Sequence, residues 1–204
     1  MGEADEHCKY LWLPNIIGRN KKAILGFLKE KAHTQIRSWD GKYIARSGKE
    51  ILVKSVVQAL PVYAMNVFLL PIKINRDIEK RLSRFWWNAK QSNGVQINWM
   101  PWERLEKHKS AGGMGFRNFK DFNLAMLGKQ VWRFLTNPES LVSRLYKARY
   151  YVDGDFLNSP LGHNPTFIWR SIVEAKKILR DRVRWRIGTG QDIQITGQPW
   201  LLDK

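Results

Sequence analysis

The sequence predicts a mainly α protein: a helical bundle, then a further helical region with a small C-terminal β-hairpin. Three observations carry this reading. Apolar residues recur at helical spacing in several separate segments, with Lys and Arg filling the opposite faces. Strand-like alternation is confined to the two ends of the chain. Hydrophobic residues make up 44% of 204 positions, enough to build a core in one large domain or two small ones.

Taken in order, Tyr10-Leu11-Trp12-Leu13 is a short apolar piece closed by Pro14 and a turn at Gly18, and reads as a strand or extended segment. A helix is expected from Asn20, an N-cap residue type, with Ile24, Phe27, Leu28, Ile36 and Trp39 on one face. Lys21, Lys22, Lys29, Lys31 and Arg37 occupy the rest, and Asp40-Gly41 breaks it. A second helix runs from about Gly48 to Leu60. Its predicted buried stripe is Ile51, Leu52, Ser55, Val56, Ala59 and Leu60, with Lys49 and Lys54 outside. Pro61 ends or kinks it, and the apolar run from Val62 to Leu70 is buried whether or not it continues as helix.

A third helix, roughly Asn75 to Asn88, buries Ile78, Leu82, Phe85 and Trp86 and turns Arg76, Lys80, Arg81 and Arg84 to solvent. Beyond a polar turn lie a Trp-Met-Pro-Trp unit at 99 to 102 and the glycines Gly112, Gly113 and Gly115, the strongest boundary signal in the chain. Helices are then expected over Asn118 to Thr136 (burying Phe122, Met126, Val131 and Phe134), over Pro138 to Tyr151 and from Thr166 to about Asp181, with a loop from Asp153 to Pro165. Val183, Trp185 and Ile187, a Gly188-Thr189-Gly190 turn, and Ile193 and Ile195 alternate as a hairpin.

Charge narrows the partner. The 35 Lys and Arg against 18 Asp and Glu leave a formal net charge of +17, which attracts a polyanion and makes nucleic acid or an anionic membrane surface the leading classes. The acidic N-terminus lacks the apolar stretch of a secretory signal, and the run from Val62 to Pro71 is far too short to span a bilayer. An intracellular protein is therefore expected, in nucleus or cytoplasm with an organelle left open, and without membrane passage. The one cysteine, Cys8, rules out an intrachain disulfide and a zinc site built on several thiolates.

Catalytic chemistry has little to stand on. Two-metal phosphoryl transfer needs clustered carboxylates, and the nearest approach, Asp153-Gly154-Asp155, reads as a solvated turn. His7, His33, His108 and His163 have no i,i+4 partner of ligand type. The glycine cluster lacks the Lys-Ser/Thr of a phosphate loop and reads as a hinge. What remains positive is basic residues interleaved with aromatics, in Arg76 to Arg84 with Trp86 and Trp87, and in Lys176 to Arg186 with Trp185, a combination that binds phosphates and stacks bases.

Specific strings sharpen this. Lys54-Ser55-Val56-Val57-Gln58-Ala59-Leu60-Pro61-Val62-Tyr63-Ala64-Met65, Leu69-Leu70-Pro71, Ile78-Glu79, Phe85-Trp86-Trp87, Ile97-Asn98-Trp99, Gly112 to Arg117, Phe122-Asn123, Ala125-Met126-Leu127, Trp132-Arg133-Phe134-Leu135 and Ile168 to Ile172 occur in order. Together they resemble the C-terminal part of LINE-type, non-LTR retroelement reverse transcriptases of the kind abundant in plant genomes. The segment Cys8 to Pro14 resembles the end of the palm after the catalytic hairpin, with Trp12 in place of the family's usual Gly. Thr196 and Gln198 depart from the family's Trp and Asp in the final stretch.

The resemblance implies three regions: residues 1–18 as a remnant of the palm end, 19–90 as a thumb-like helical domain against a template-primer duplex, and 91–204 as a post-thumb linker region with the C-terminal hairpin. It places the catalytic aspartates upstream, so a non-catalytic fragment is expected, truncated relative to the polymerase and inactive as a polymerase alone. No cofactor is expected, Mg²⁺ belonging only to a full-length polymerase. The expected partner is RNA or RNA/DNA hybrid bound without sequence preference, with the missing upstream polymerase segment or another protein as further candidates. The expected contact residues are Lys21, Lys22, Lys29, Lys31, Arg37, Lys49, Lys54, Arg76, Lys80, Arg81 and Arg84. The competing reading is a structural or interaction module with no nucleic-acid role.

Overall fold

The computed structural model describes residues 9–10, 13–14, 21–39, 43–88, 97–152, 154–180 and 182–183. Beyond Val183, the hairpin expected up to Ile195 lies outside the described residues, as do Asp153, His7 and Cys8. Near the start, β1 (Lys9–Tyr10) pairs antiparallel with β2 (Leu13–Pro14), Tyr10 opposite Leu13. Among the described residues the other regular elements are helical, chiefly α1 (Lys21–Arg37), α2 (Arg46–Leu52), α3 (Val62–Met65), α4 (Ile72–Trp87), α5 (Trp102–Leu105), α6 (Phe119–Thr136), α7 (Leu141–Tyr150) and α8 (Phe167–Arg180). The chain divides into two compact units, one to Met126 and one from Leu127. Among the described residues no helix is long and apolar enough to cross a membrane.

The first unit is organised by α1 and α4. Leu25, Leu28, Ala32 and Ile36 recur at three- and four-residue steps along α1, and Ile74, Ile78, Leu82, Phe85 and Trp86 do the same along α4, so each helix buries one stripe. The two run in the same direction: Lys29 reaches Asp77 at 3.1 Å near their middles, and Trp39, just past α1, meets Phe85 near the end of α4 with ring centroids 5.4 Å apart. The predicted core of α4 is thus the observed one.

On α2 the expected stripe is corrected. Ile51 is 64% exposed, Ser55 and Ala59 are exposed, and the buried residues are Val53, Val57 and Gln58. The cause is local: α2 runs into a π-helical turn over Val53–Val57, which widens the coil and rotates the residues beyond it, while apolar residues on several sides leave periodicity with two answers.

Phe119 and Asn123 of α6 are fully buried, and Asn123 ties the loop ahead of α4 into the core. Its Oδ1 accepts from the Leu70 amide at 2.7 Å, and its Nδ2 donates to the carbonyls of Met65 and Phe68, both at 2.9 Å. These three bonds fix a segment that has no regular ladder of its own.

The glycine cluster is a pinned turn rather than a hinge. Gly112 and Gly115 have φ of 76° and 67°, left-handed values that favour glycine. The amides of Met114 and Phe116 both donate to the Leu105 carbonyl, at 2.9 and 3.3 Å, and that of Gly115 to the Lys107 carbonyl at 2.8 Å. A Cβ on Gly113 would lie 2.0 Å from the Lys107 carbonyl oxygen. Backbone cannot retreat as a side-chain tip can, so Gly113→Ala is expected to destabilise by about 3 kcal/mol, read as a shifted denaturation midpoint at unchanged slope.

Glu79 of α4 sits where the Phe119 amide, at the start of α6, donates to its carboxylate. Burial first, then the neighbouring Glu106, pushes its carboxyl up to about 6, against the pull of that amide. A carboxyl with a raised folded pKa makes the folded state hold more protons than the unfolded one between about 4.5 and 6, so stability falls as pH rises through that window. Glu79→Gln keeps an acceptor and removes the charge. It is expected to raise stability by about 1 kcal/mol at neutral pH and to change nothing below the window, which thermal melts at two pH values would show.

In the second unit, Trp169 is fully buried and stacks on Tyr150 with centroids 4.5 Å apart and planes 2° from parallel. Phe134 and Phe156 stack beside them at 5.1 Å. The Thr166 hydroxyl caps α8 by accepting from the Trp169 amide at 3.2 Å, and Ser140 caps α7 by accepting from the Ser143 amide at 3.3 Å. Lys176, expected on a basic surface, is only 5% exposed. Its ammonium donates to the Ser159 carbonyl, the Ser159 hydroxyl and the Phe156 carbonyl at 2.6, 2.9 and 3.1 Å. Burial, then Arg180, lowers it to about 8, leaving it a structural cation at neutral pH.

Candidate nucleic-acid interface

The eleven predicted contact residues separate into groups once folded. On α4, Arg76, Lys80 and Arg84 stand four residues apart and exposed, forming one row on the side opposite Ile78, Leu82 and Phe85. Eight residues at helical rise make this row about 12 Å long. Arg81 flanks it, partly buried, and Lys31 and Arg37 stand exposed on the neighbouring α1. Lys21 and Lys22 belong to the first turn of α1, with side chains outside the described residues.

Among the predicted contact residues, Lys29, Lys54 and Lys49 are engaged within the chain. Lys29 holds Asp77, and Lys54 meets Glu50 at 2.8 Å, an oxygen it shares with Lys109 at the same distance. The hydrogen bond from Lys109, then that from Lys54, holds the Glu50 carboxyl below its ordinary range. Lys49 turns inward: its ammonium donates to the Phe85 carbonyl at 3.1 Å and to the Asn88 carbonyl, satisfying the end of α4 where the helix dipole is negative. Burial, then Arg46, lowers its pKa. These three support the basic surface rather than forming its outer row.

Two features were not apparent in the sequence. Arg46, exposed at the start of α2, lies over both Trp86 and Trp87, its guanidinium carbon 5.3 and 5.0 Å from the ring centroids. The other is a cleft of about 220 Å³ between the C-terminal turns of α1 and α4, lined by His33, Ile36, Arg37, Arg81, Arg84, Phe85 and Asn88. Among the described residues no carboxylate lines it. Both are products of tertiary pairing.

The tryptophans divide as well. Trp39, Trp86, Trp102 and Trp169 are buried, whereas Trp99 is 76% and Trp132 50% exposed and so remain accessible for stacking. Among the described residues, no group of three or more His, Cys, Asp or Glu side chains is placed to hold a metal ion.

No family model matches the chain, and no solved structure matches it. Two Arabidopsis thaliana proteins do. The chain is 34% identical over 147 residues to "Uncharacterized mitochondrial protein AtMg00310", an alignment spanning 72% of this chain and 95% of that protein. It is 27% identical over 197 residues to "Putative ribonuclease H protein At1g65750", spanning 94% of this chain and 31% of that longer protein.

Proposed function

Because the chain belongs to the same family as the Arabidopsis mitochondrial protein AtMg00310, we propose that it is a retroelement-related nucleic-acid-binding protein that holds RNA or an RNA/DNA hybrid by the phosphate backbone. The observation that carries this reading is the exposed row Arg76, Lys80 and Arg84, reinforced by Arg81, Lys31 and Arg37, on a chain of net charge +17. Such a row binds by displacing condensed counterions, which supplies affinity without sequence information.

Two further supports point the same way. The order of motifs resembles the thumb and post-thumb region of non-LTR reverse transcriptases, a likeness that would set this face along a template-primer duplex. The name of the longer relative, a ribonuclease H protein, is in keeping with a nucleic-acid partner. The role proposed for this chain is binding rather than polymerisation.

The test is equilibrium binding of single-stranded RNA, hybrid duplex and DNA duplex of scrambled sequence at about 50 mM salt, where electrostatic binding is strong. All three are expected to bind regardless of sequence. No binding to any of them would remove the reading.

One observation favours a second reading. Leu141, Val142 and Leu145 on α7 are 79%, 56% and 62% exposed, a local apolar face of the kind that packs against another protein. Self-association or binding of a hydrophobic dye, without affinity for nucleic acid, would support an interaction module instead.

A further inference from the structure

Helix α7 carries apolar residues on two opposite faces, and the chain packs against only one of them. Ser143, Tyr146 and Tyr150, at three- and four-residue steps, form the inner face. Tyr146 lies between Phe134 and Trp169 with ring centroids 5.5 and 5.7 Å away, and Tyr150 stacks on Trp169. The Ser143 hydroxyl donates to the Asn137 carbonyl at 2.9 Å. These contacts fix the rotation of the helix about its own axis. With about 3.6 residues per turn, Leu141, Leu145 and Ala148 then follow one another along the opposite side, all exposed, with Val142 beside them. Turning the leucines inward would break the ring stack, so their exposure is set by the packing of the helix and not by a choice of rotamer.

We propose that this ridge is a docking site for a helix of another protein, one whose apolar stripe is flanked by carboxylates. The proposal deepens the interaction reading of α7 and does not depend on nucleic-acid binding. Spacing gives the shape. Residues at i, i+4 and i+7 form a single ridge of the kind that seats in the groove of a second helix, and the small Ala148 allows close approach at one end. Charge gives the sign. The charged residues of α7 are Arg144, Lys147 and Arg149, all exposed, and helical geometry sets Arg144 and Arg149 on opposite sides of the ridge. A partner with Asp or Glu beside its apolar stripe would meet them as the charged edges of coiled coils meet. Glu139, the acidic residue nearest in sequence, stands ahead of the Ser140 cap, beyond the N-terminal end of the ridge.

Other occupants fit this surface less well. A second copy of α7 would set like charges against one another, on a chain of net charge +17. A phosphate backbone would meet the basic flanks and leave the leucines unmatched. An anionic bilayer would accept both, but a ridge one residue wide gives it little apolar surface to bury.

The experiment measures binding of synthetic helical peptides to the whole chain by fluorescence anisotropy. One peptide carries Leu at i, i+4 and i+7 with Glu on both sides, a second has Lys in place of Glu, and a third is a scramble of the first. The Glu peptide is expected to bind at least about tenfold more tightly than either of the others. Leu141→Ser with Leu145→Ser should abolish that preference. Arg144→Glu with Arg149→Glu should reverse it in favour of the Lys peptide, a reversal that unspecific stickiness would not give. All four positions are exposed, and circular dichroism checks the fold of each variant. Equal binding of the three peptides, or binding of none, overturns the proposal. Without a peptide preference, binding to vesicles of anionic phospholipid that the two serines abolish overturns it in favour of a membrane. Concentration-dependent dimerisation that the two serines abolish overturns it in favour of a second copy. RNA affinity, measured on the same proteins, separates this proposal from the nucleic-acid reading: RNA bound without a peptide preference overturns the docking site alone, and a peptide preference without RNA binding supports the site while removing the nucleic-acid reading.

Discussion

Replacing Asn123 by Leu is expected to cost about 4 kcal/mol of stability, lowering the melting temperature by roughly 10 °C, although the substitution makes a buried position more hydrophobic. Asn123 is fully buried, and its amide makes three hydrogen bonds to the main chain of Met65, Phe68 and Leu70. Leucine has a similar volume but removes all three at once, and each buried backbone group that loses a partner costs about 1–3 kcal/mol. The groups affected lie in the connector leading into α4, so the loss should spread to the basic row that α4 presents. Asn123→Asp sharpens the test. It retains an acceptor for the Leu70 amide but sets carboxylate oxygens against the Met65 and Phe68 carbonyls, and it should destabilise at least as much at neutral pH and less in acid, where the carboxyl can donate. A melt within about 1 kcal/mol of wild type for Asn123→Leu would show that these bonds do not hold the connector.

The second large effect concerns binding. Arg76→Glu, Lys80→Glu and Arg84→Glu together are expected to weaken RNA affinity by at least about 100-fold at moderate salt, because three attractive charges along one helix face become three repulsive ones. Exposure of all three residues predicts that folding is little changed, so circular dichroism and melting should stay near wild type. A matching set on the committed lysines separates surface contacts from scaffold. Lys49→Met should chiefly destabilise the end of α4, and Lys54→Met should loosen Glu50, each with a smaller effect on affinity than on stability.

How much of this could be read from the chain alone depends on how local the cause is. Helix α4 was legible because Ile78, Leu82, Phe85 and Trp86 keep a 3.6-residue period and the charges keep to the other side. Helix α2 was not, because the π-helical turn at Val53–Val57 breaks the period that the reading assumed. On α6, a polar Asn123 at the most buried level gave no hydrophobic signal, since its burial is justified only by carbonyls and an amide from the connector before α4. The motif pairs Ile78-Glu79 and Phe122-Asn123 were visible as strings, and the structure supplies their physical reasons: a carboxylate at the start of α6, and an amide clasp on a loop.

The basic surface was half legible. The spacing of Arg76, Lys80 and Arg84 announces one row, and that row is present. The inward turn of Lys49 was hidden, because its acceptor Phe85 lies 36 residues away, and nothing local distinguishes it from a solvated lysine. The cleft was hidden for the same reason: Arg37 and Arg81 become neighbours only when α1 and α4 pack in parallel.

The central claim, that this chain holds nucleic acid through phosphate contacts, is tested most directly by the dependence of RNA affinity on salt. With about six phosphates contacted, the logarithm of affinity should fall with the logarithm of salt concentration at a slope of roughly −4 for a single strand and −5 for a duplex, and the triple Glu variant should flatten that slope by about two units or somewhat more. An affinity that barely changes between about 50 and 200 mM salt, or that the three substitutions leave untouched, would contradict the account.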